Sequence, residues 1–448
     1  MSKKIINTSL MLLLASNVSL AKVTQDQANK LGNELTPIGA QMAGNSSGTI
    51  PAYTGGLTQD INADQLKDIY ADEKPLFTIT SENLAQYQDN LSAGQRALFA
   101  KYPDTYKMPI YKTHRTAAFP QSVYKKAKSN ATRTELVSGG AGLANFDETV
   151  PFAIPQNGLE VIWNHVSRYR GGSVERNSAT LSVQRNGEYT PIRMRGIISP
   201  PQYLSDGYDS GKDDNILFYV LEMIKSPARL TGNVFLVHET IDQIKQPRMA
   251  WSYNAGQRRV RRAPQVAYDA PGQGSDGLRT QDQLDMFNGA PDRYDWKLEG
   301  KKEIYIPYNA YKITDPAVKY DDIVGVGHIN QDHTRYELHR VWKVTATLKE
   351  GARHIYGERT LYVDEDSWQI ALTDHYDSRG QLWRTSEAHA LQFVNANTNW
   401  YSALTHYDLF SGRYIADLNN EERDAYKFNN EMKRGNFTSG AIRRLGKL

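Results

Sequence analysis

The chain of 448 residues contains no cysteine. That excludes disulfide bridges and every thiolate nucleophile or metal ligand. A secreted animal chain of this size would as a rule carry disulfides, so their absence suits a bacterial envelope better. Asn-x-Ser/Thr triplets at Asn45, Asn90, Asn130 and Asn436 are of the kind that arises by chance. Excess charge is also lacking. The 53 Lys+Arg stand against 50 Asp+Glu, a net charge of +3, which implies no nucleic acid or other polyanionic partner. No run after residue 21 is long enough to span a bilayer.

Enzyme signatures are missing too. There is no His-Glu-x-x-His, no Gly-x-Ser-x-Gly elbow and no P-loop. Gly325-Val326-Gly327 is too short for a dinucleotide fingerprint. Ser122 and Lys125 have Ser-x-x-Lys spacing, but the Ser-Asp-Asn and Lys-Thr-Gly companions are absent. His328, His333 and His339 lie near one another at a spacing that matches no known site. No catalytic residue, metal or cofactor is expected.

What is present begins with an export signal. Lys3 and Lys4 form a positive start, Leu10 to Leu14 centre an apolar stretch, and Ser19-Leu20-Ala21 supplies small residues for a signal peptidase. Asn7, Ser16 and Asn17 interrupt the apolar stretch, which is too short for a membrane span. Residues 1–21 are therefore read as a cleavable signal peptide. Residue 22 is Lys, where a bacterial lipoprotein carries Cys, so the expected product is a released periplasmic protein without a lipid anchor.

The mature part divides by periodicity. Residues 22–158 read as helices and an extended arm, with helices opened by Thr24–Gln27, over 62–70, over 82–91, and after Ser92–Gln95 before Pro103. Residues 129–158 read as loop. From 159 to 410 the period is two. Strands are predicted over 159–168, 178–185, 188–195, 216–224, 233–242, 247–254, 258–266, 300–307, 335–349, 353–364, 368–376, 381–394 and 399–409. Turns such as Asn186-Gly187 and Arg379-Gly380 make them an antiparallel meander. A short helix is expected within 276–290, and a polar, partly helical tail over 411–448. The 27 Tyr and 7 Trp suit a β-rich body. In 335–349, Tyr336, Leu338, Trp342, Val344, Ala346 and Leu348 share one face with Arg340, while the other face is mostly polar. A large sheet with one wet face must bury the other. The fold class expected is α+β and β-rich: a large curved antiparallel sheet, a half-open β-barrel closed by helices.

Two clusters are candidates for binding. In Arg258-Arg259-Val260-Arg261-Arg262, alternation puts Arg259 and Arg261 on one face and Arg258 and Arg262 on the other, so one pair points to the concave side, suited to an anionic head group or to an ion pair with Asp269, Asp282, Asp285 or Asp292. The plainer reading is a charged sheet edge that resists edge pairing. Trp163, His165, Arg168 and Arg170 form a dense polar-aromatic patch, read either as a partner-binding surface or as a strand end capping the arm.

Several blocks resemble the periplasmic family called domain of unknown function 1329. They are Leu35 to Ala40, Gly48 to Leu57, Pro151 to Pro155, Trp163-Asn164-His165 with Arg168 to Gly171, Tyr268 to Pro271, and Asp292 to Trp296. Members are described as outer-membrane lipoprotein-sorting-like. Trp251 to Arg262, Leu361 to Asp364 and Tyr376 to Gly380 resemble strands of the lipoprotein carrier superfamily, whose half-barrel holds acyl chains. The resemblance implies a soluble carrier for a lipid or other hydrophobic ligand. It also implies association with an inner-membrane transporter of the resistance-nodulation-division type and an outer-membrane barrel protein. On this reading Arg259, Arg261 and Arg340 meet a head group, and Trp251, Tyr253 and Trp342 form apolar wall. The alternatives are an envelope assembly or adaptor protein whose cavity is filled by its own side chains, and, more remotely, a hydrolase.

Overall fold

A computed structural model describes residues 23–58, 67–263 and 268–447. The expected signal peptide and residues 62–66 of the expected second helix lie outside the described residues.

The early helices follow their caps. α1 (Gln25–Ala28) opens on the Thr24–Gln27 capping box, and α2 (Ala93–Lys101) on the Ser92–Gln95 box. The helix expected over 82–91 is instead two 3₁₀ turns, Leu84–Gln86 and Gln88–Asn90. α3 (Gln121–Arg133) crosses a stretch partly read as loop; Val123, Ala127 and Ala131, four residues apart, give it a narrow buried stripe.

α4 (Gly158–Ser167) replaces the first predicted strand. Asn157 Oδ1 accepts from Glu160 N at 3.0 Å and caps the helix. Nine of its positions are buried, all except Leu159, so no polar face marks a helical period.

The strands are β1 (Phe77–Ile79), β2 (Met108–Ile110), β3 (Glu135–Val137), β4 (Gly142–Ala144), β5 (Val174–Val183), β6 (Pro191–Ser199), β7 (Ile216–Ser226), β8 (Val234–Thr240) and β9 (Met249–Asn254). There follow β10 (Arg259–Ala263), β11 (Tyr294–Pro307), β12 (Tyr336–Leu348), β13 (Glu358–Asp364), β14 (Ile370–Tyr376), β15 (Leu382–Phe393), β16 (Thr398–Asp408), β17 (Tyr414–Leu418) and β18 (Tyr426–Lys427). All except the β3–β4 hairpin join one 16-stranded sheet in the order β1-β2-β12-β13-β14-β15-β16-β17-β5-β6-β7-β8-β9-β10, with β11 also on β12 and β18 on β5. Pairing is antiparallel except for one parallel contact of β12 with β2. The sheet does not close on itself, and the architecture is the β-rich, α+β half-barrel.

Residues 411–448 are more than a polar tail. β17 lies between β16 and β5 and so joins the late strands to the early ones. The last helix, α5 (Ser439–Leu445), packs on β8, β9 and β10 through Ile442. The short helix within 276–290 is a 3₁₀ turn, Gln281–Gln283.

Layering follows from burial. α4 packs on β11 and β12, where Trp163 and Val166 meet the apolar face built by Val344, Leu361 and Ala388. On the opposite face α2 lies against β14 and β15, where Gly94 N donates to Asp374 Oδ1 at 3.0 Å. A Cβ at Gly94 would sit 2.0 Å from Thr385 Oγ1, so only glycine permits this approach. β16 is buried along its whole length. The face of β12 expected to be wet is therefore dry near its start, where Glu337 and His339 are buried in hydrogen-bonded pairs. Among the described residues no helix is long and apolar enough to cross a membrane.

Candidate functional site: a slot beneath the sheet

Strand register decides which side chains line the concave side. Val220 pairs with Val237 and Glu222 with Phe235; these pair in turn with Ala250 and Ser252; Ser252 pairs with Arg261. Cross-strand partners share a face. One face of β7–β10 thus runs from Val220 and Glu222, over half-buried Phe235 and Val237, to exposed Arg259 and Arg261.

At the inner end of this face lies an enclosed slot of about 60 Å³. Its floor is Val174 and Ser178 of β5, Met194 and Ile198 of β6, Val220 and Glu222 of β7, Trp400 and Leu404 of β16, and Ile415 of β17. Arg279, Leu284 and Asp285, from the segment that follows β10, close it from above. A second, apolar slot of about 30 Å³ adjoins it at Ile198 and is lined by Phe146, Tyr169 and Phe218. A broad cleft of about 1290 Å³ beside Asn186 and Val326 is open to solvent and encloses nothing.

Most charged groups of the first slot are paired. Arg176 donates to Asp417 at 2.6 Å. Asp285 is gripped by Arg168 at 2.7 Å and Arg170 at 2.8 Å. Burial would raise the Asp285 carboxyl, but the two guanidiniums outweigh it and hold it well below the usual carboxylate range. Two groups differ. The Glu222 carboxylate has no hydrogen bond or ion pair among the described residues, and burial raises its pKa while Arg279 opposes the rise. Among the described residues the Arg279 guanidinium makes a single long bond, to Gln273 O at 3.4 Å, and no ion pair. A mostly apolar pocket with a few uncommitted polar groups is the usual form of a small-molecule site.

The residues expected to bind ligand do not come together. Arg259 and Arg261 lie on the outermost strand, on the same face as Glu222. Trp251 and Tyr253 are on the opposite face, packed against α5, because they alternate with Ala250 and Ser252; they are not cavity wall. Arg340 is buried on β12 and committed: it donates to Glu365 at 2.6 Å and to Gln41 O and Ala43 O. It fastens the N-terminal arm and is not free for a head group. Trp342 stacks with Trp368 and carries Lys301 Nζ 4.6 Å from its ring centroid.

The expected partner surface is also corrected. Trp163, His165, Arg168 and Arg170 are 3%, 0%, 2% and 8% exposed. His165 Nε2 lies 2.8 Å from Asp285 O, and burial reinforced by Arg168 pushes the ring down to about 3, so it is neutral. The patch locks α4 to the segment that roofs the slot. Reading the sequence missed Glu222 and Arg279. The former had a signal: it is the one acid in the apolar run Ile216–Ile224 of β7.

Comparison with known proteins places the chain. Residues 78–443 match the family model described as protein of unknown function (DUF1329). The chain belongs to this family. Uncharacterized protein PA3922 of Pseudomonas aeruginosa is 57% identical over 439 residues, covering 97% of this chain and 96% of that one. Among solved structures, a domain from Vibrio parahaemolyticus described as an outer membrane lipoprotein-sorting protein domain is similar at 14% identity and a TM-score of 0.44, over 64% of this chain and 98% of its own. A DUF1329 family protein from Desulfovibrio piger is similar at 15% identity and a TM-score of 0.42, over 60% and 92%. Both scores lie below 0.5, and the architecture rests on the strand pairing described above.

Proposed function

We propose that this DUF1329 protein is a non-enzymatic periplasmic carrier of an amphipathic, lipid-like molecule with a charged head group. The observation that carries the reading is the concave face itself. An apolar slot holding unpaired Glu222 and Arg279 continues over half-buried Phe235 and Val237 to the arginine rim of β10. The apolar part of the ligand would enter the slot and its head would meet Arg279, Arg259 or Arg261. The slot in this form has room for a few waters only. Loading therefore requires the turn 271–280, closed by the Pro271–Thr280 bridge, to lift from the sheet. The lipoprotein-sorting description of the Vibrio domain agrees with this reading. An inner-membrane transporter of the resistance-nodulation-division type and an outer-membrane barrel are the partners proposed for loading and delivery.

The small volume also supports a second reading: an envelope assembly protein whose half-barrel is filled by its own side chains. Titration with an environment-sensitive fluorescent fatty acid separates the two. The carrier reading predicts saturable binding, and Arg279→Ala weakens it about tenfold or more, as loss of a charged hydrogen-bond partner does. No binding by the wild type, with cross-linking to an envelope protein, establishes the second reading.

A further inference from the structure

His339, Asp364 and Asp366 each offer one ligand atom, and these atoms all lie within 4.8 Å of one another. The three residues are 1%, 1% and 3% exposed. They sit where the β13–β14 turn folds back on the first half of β12, and none of them lines the slot. We propose that they form a binding site for one divalent transition-metal cation.

Three observations support it. The first is charge. Asp366 is held by Arg115 at 2.6 Å, whereas Asp364 has no cation partner among the described residues. Among the described residues its carboxylate accepts from Ser367 Oγ at 2.5 Å and Asp366 N at 3.3 Å alone. The linked network sets five carboxyl groups, Glu73, Glu337, Asp364, Glu365 and Asp366, against four cationic side chains, Arg115, Lys301, Arg335 and Arg340. A buried, unpaired carboxylate is costly, and a bound cation offsets that cost.

The second is the imidazole. His339 Nε2 lies 3.2 Å from Glu337 Oε2. An imidazole held by a carboxylate in this way is part of the carboxylate–histidine–metal arrangement of many sites. The third is Tyr308. Its ring stacks on His339 with centroids 4.0 Å apart. Its buried hydroxyl has no hydrogen-bond partner among the described residues, and the charges of Asp364 and Asp366 bear on it. One imidazole nitrogen, two carboxylates and a spare hydroxyl suit Zn²⁺ or Mn²⁺.

The site lies beneath the N-terminal arm. Arg115 donates to Gln41 O and Met42 O of the arm and also to Asp366. A cation there would pin the turn that holds the arm, which makes its role structural and separate from ligand carriage.

The test is elemental analysis of the full chain, made in cells grown with Zn²⁺ and Mn²⁺ and purified without chelator or histidine tag. The expected result is about one metal atom per chain in the wild type, lost in Asp364→Asn and His339→Gln. X-ray absorption of the wild type, which needs no variant, should show imidazole nitrogen and oxygen ligands at bonding distance. A wild type with no bound metal overturns the proposal, as do variants that fold and keep the same metal content.

Discussion

The Glu387 carboxyl is buried with Tyr336 Oη donating to it at 2.9 Å, His389 Nε2 4.0 Å away, and no Lys or Arg paired with it among the described residues. Burial, against the Tyr336 and Gln95 hydrogen bonds, pushes its pKa up to about 7. A carboxyl raised in the folded state contributes stability that is complete below the unfolded-state value near 4.3 and is lost as pH rises through 7. Buried His165 and His389, both pushed down to about 3, act in the opposite sense and lose stability as pH falls below the unfolded-state value near 6.5. Comparison with a neutral isostere isolates the carboxyl. Glu387→Gln should match the wild type in stability below about pH 4 and exceed it above pH 7, by roughly 3–4 kcal/mol at most, read as a higher melting temperature. Equal melting curves at both pH values would show that Glu387 titrates normally. Residue type alone could not reveal such environments. Arg168, Arg340 and Arg259 are the same residue in three settings: one grips a buried carboxylate, one fastens a strand to the arm, and one faces solvent. Glu222 was legible only as a lone acid in an apolar strand, and Arg279 not at all, because its importance comes from packing against residues far away in the chain.

At the scale of elements, most strands lie where period-two alternation and turn residues put them, from β6 to β16. The exceptions share a cause. α4 is buried on almost every side, with Glu160, Asn164 and His165 inside as well, so no wet face separates its pattern from that of a strand. β17 follows a polar turn and is only five residues long, so its central place in the sheet is set by pairing with β16 and β5 and not by its own pattern. α5 is short, and its worth lies in covering Tyr253 and Trp251. Ile442 at its centre is 0% exposed. Ile442→Ala should cost about 2–5 kcal/mol and increase binding of a hydrophobic dye, since loosening α5 exposes the apolar face of β8–β10 that it covers. A variant with an unchanged denaturation midpoint would mean that the helix is not docked in solution. The same test leaves the concave face intact, because Ile442 packs on the other side.

For the whole molecule, the half-barrel class followed from strand count, turn chemistry and the need of a one-sided sheet for cover. What fills it did not. The concave side is occupied at one end by α4 and at the other by the roofing segment, leaving a narrow slot and an open, arginine-rimmed floor. That arrangement suits a closed, unloaded carrier, in which ligand and roof compete for the same apolar surface. The central claim is that an amphipathic molecule occupies this slot. Native mass spectrometry of the protein purified gently from the cells that make it, followed by organic extraction, tests it most directly. The account predicts a mass above that of the chain, with an extractable amphipathic compound that Arg279→Ala retains poorly. A bare-chain mass for the wild type, with nothing extracted, would contradict it.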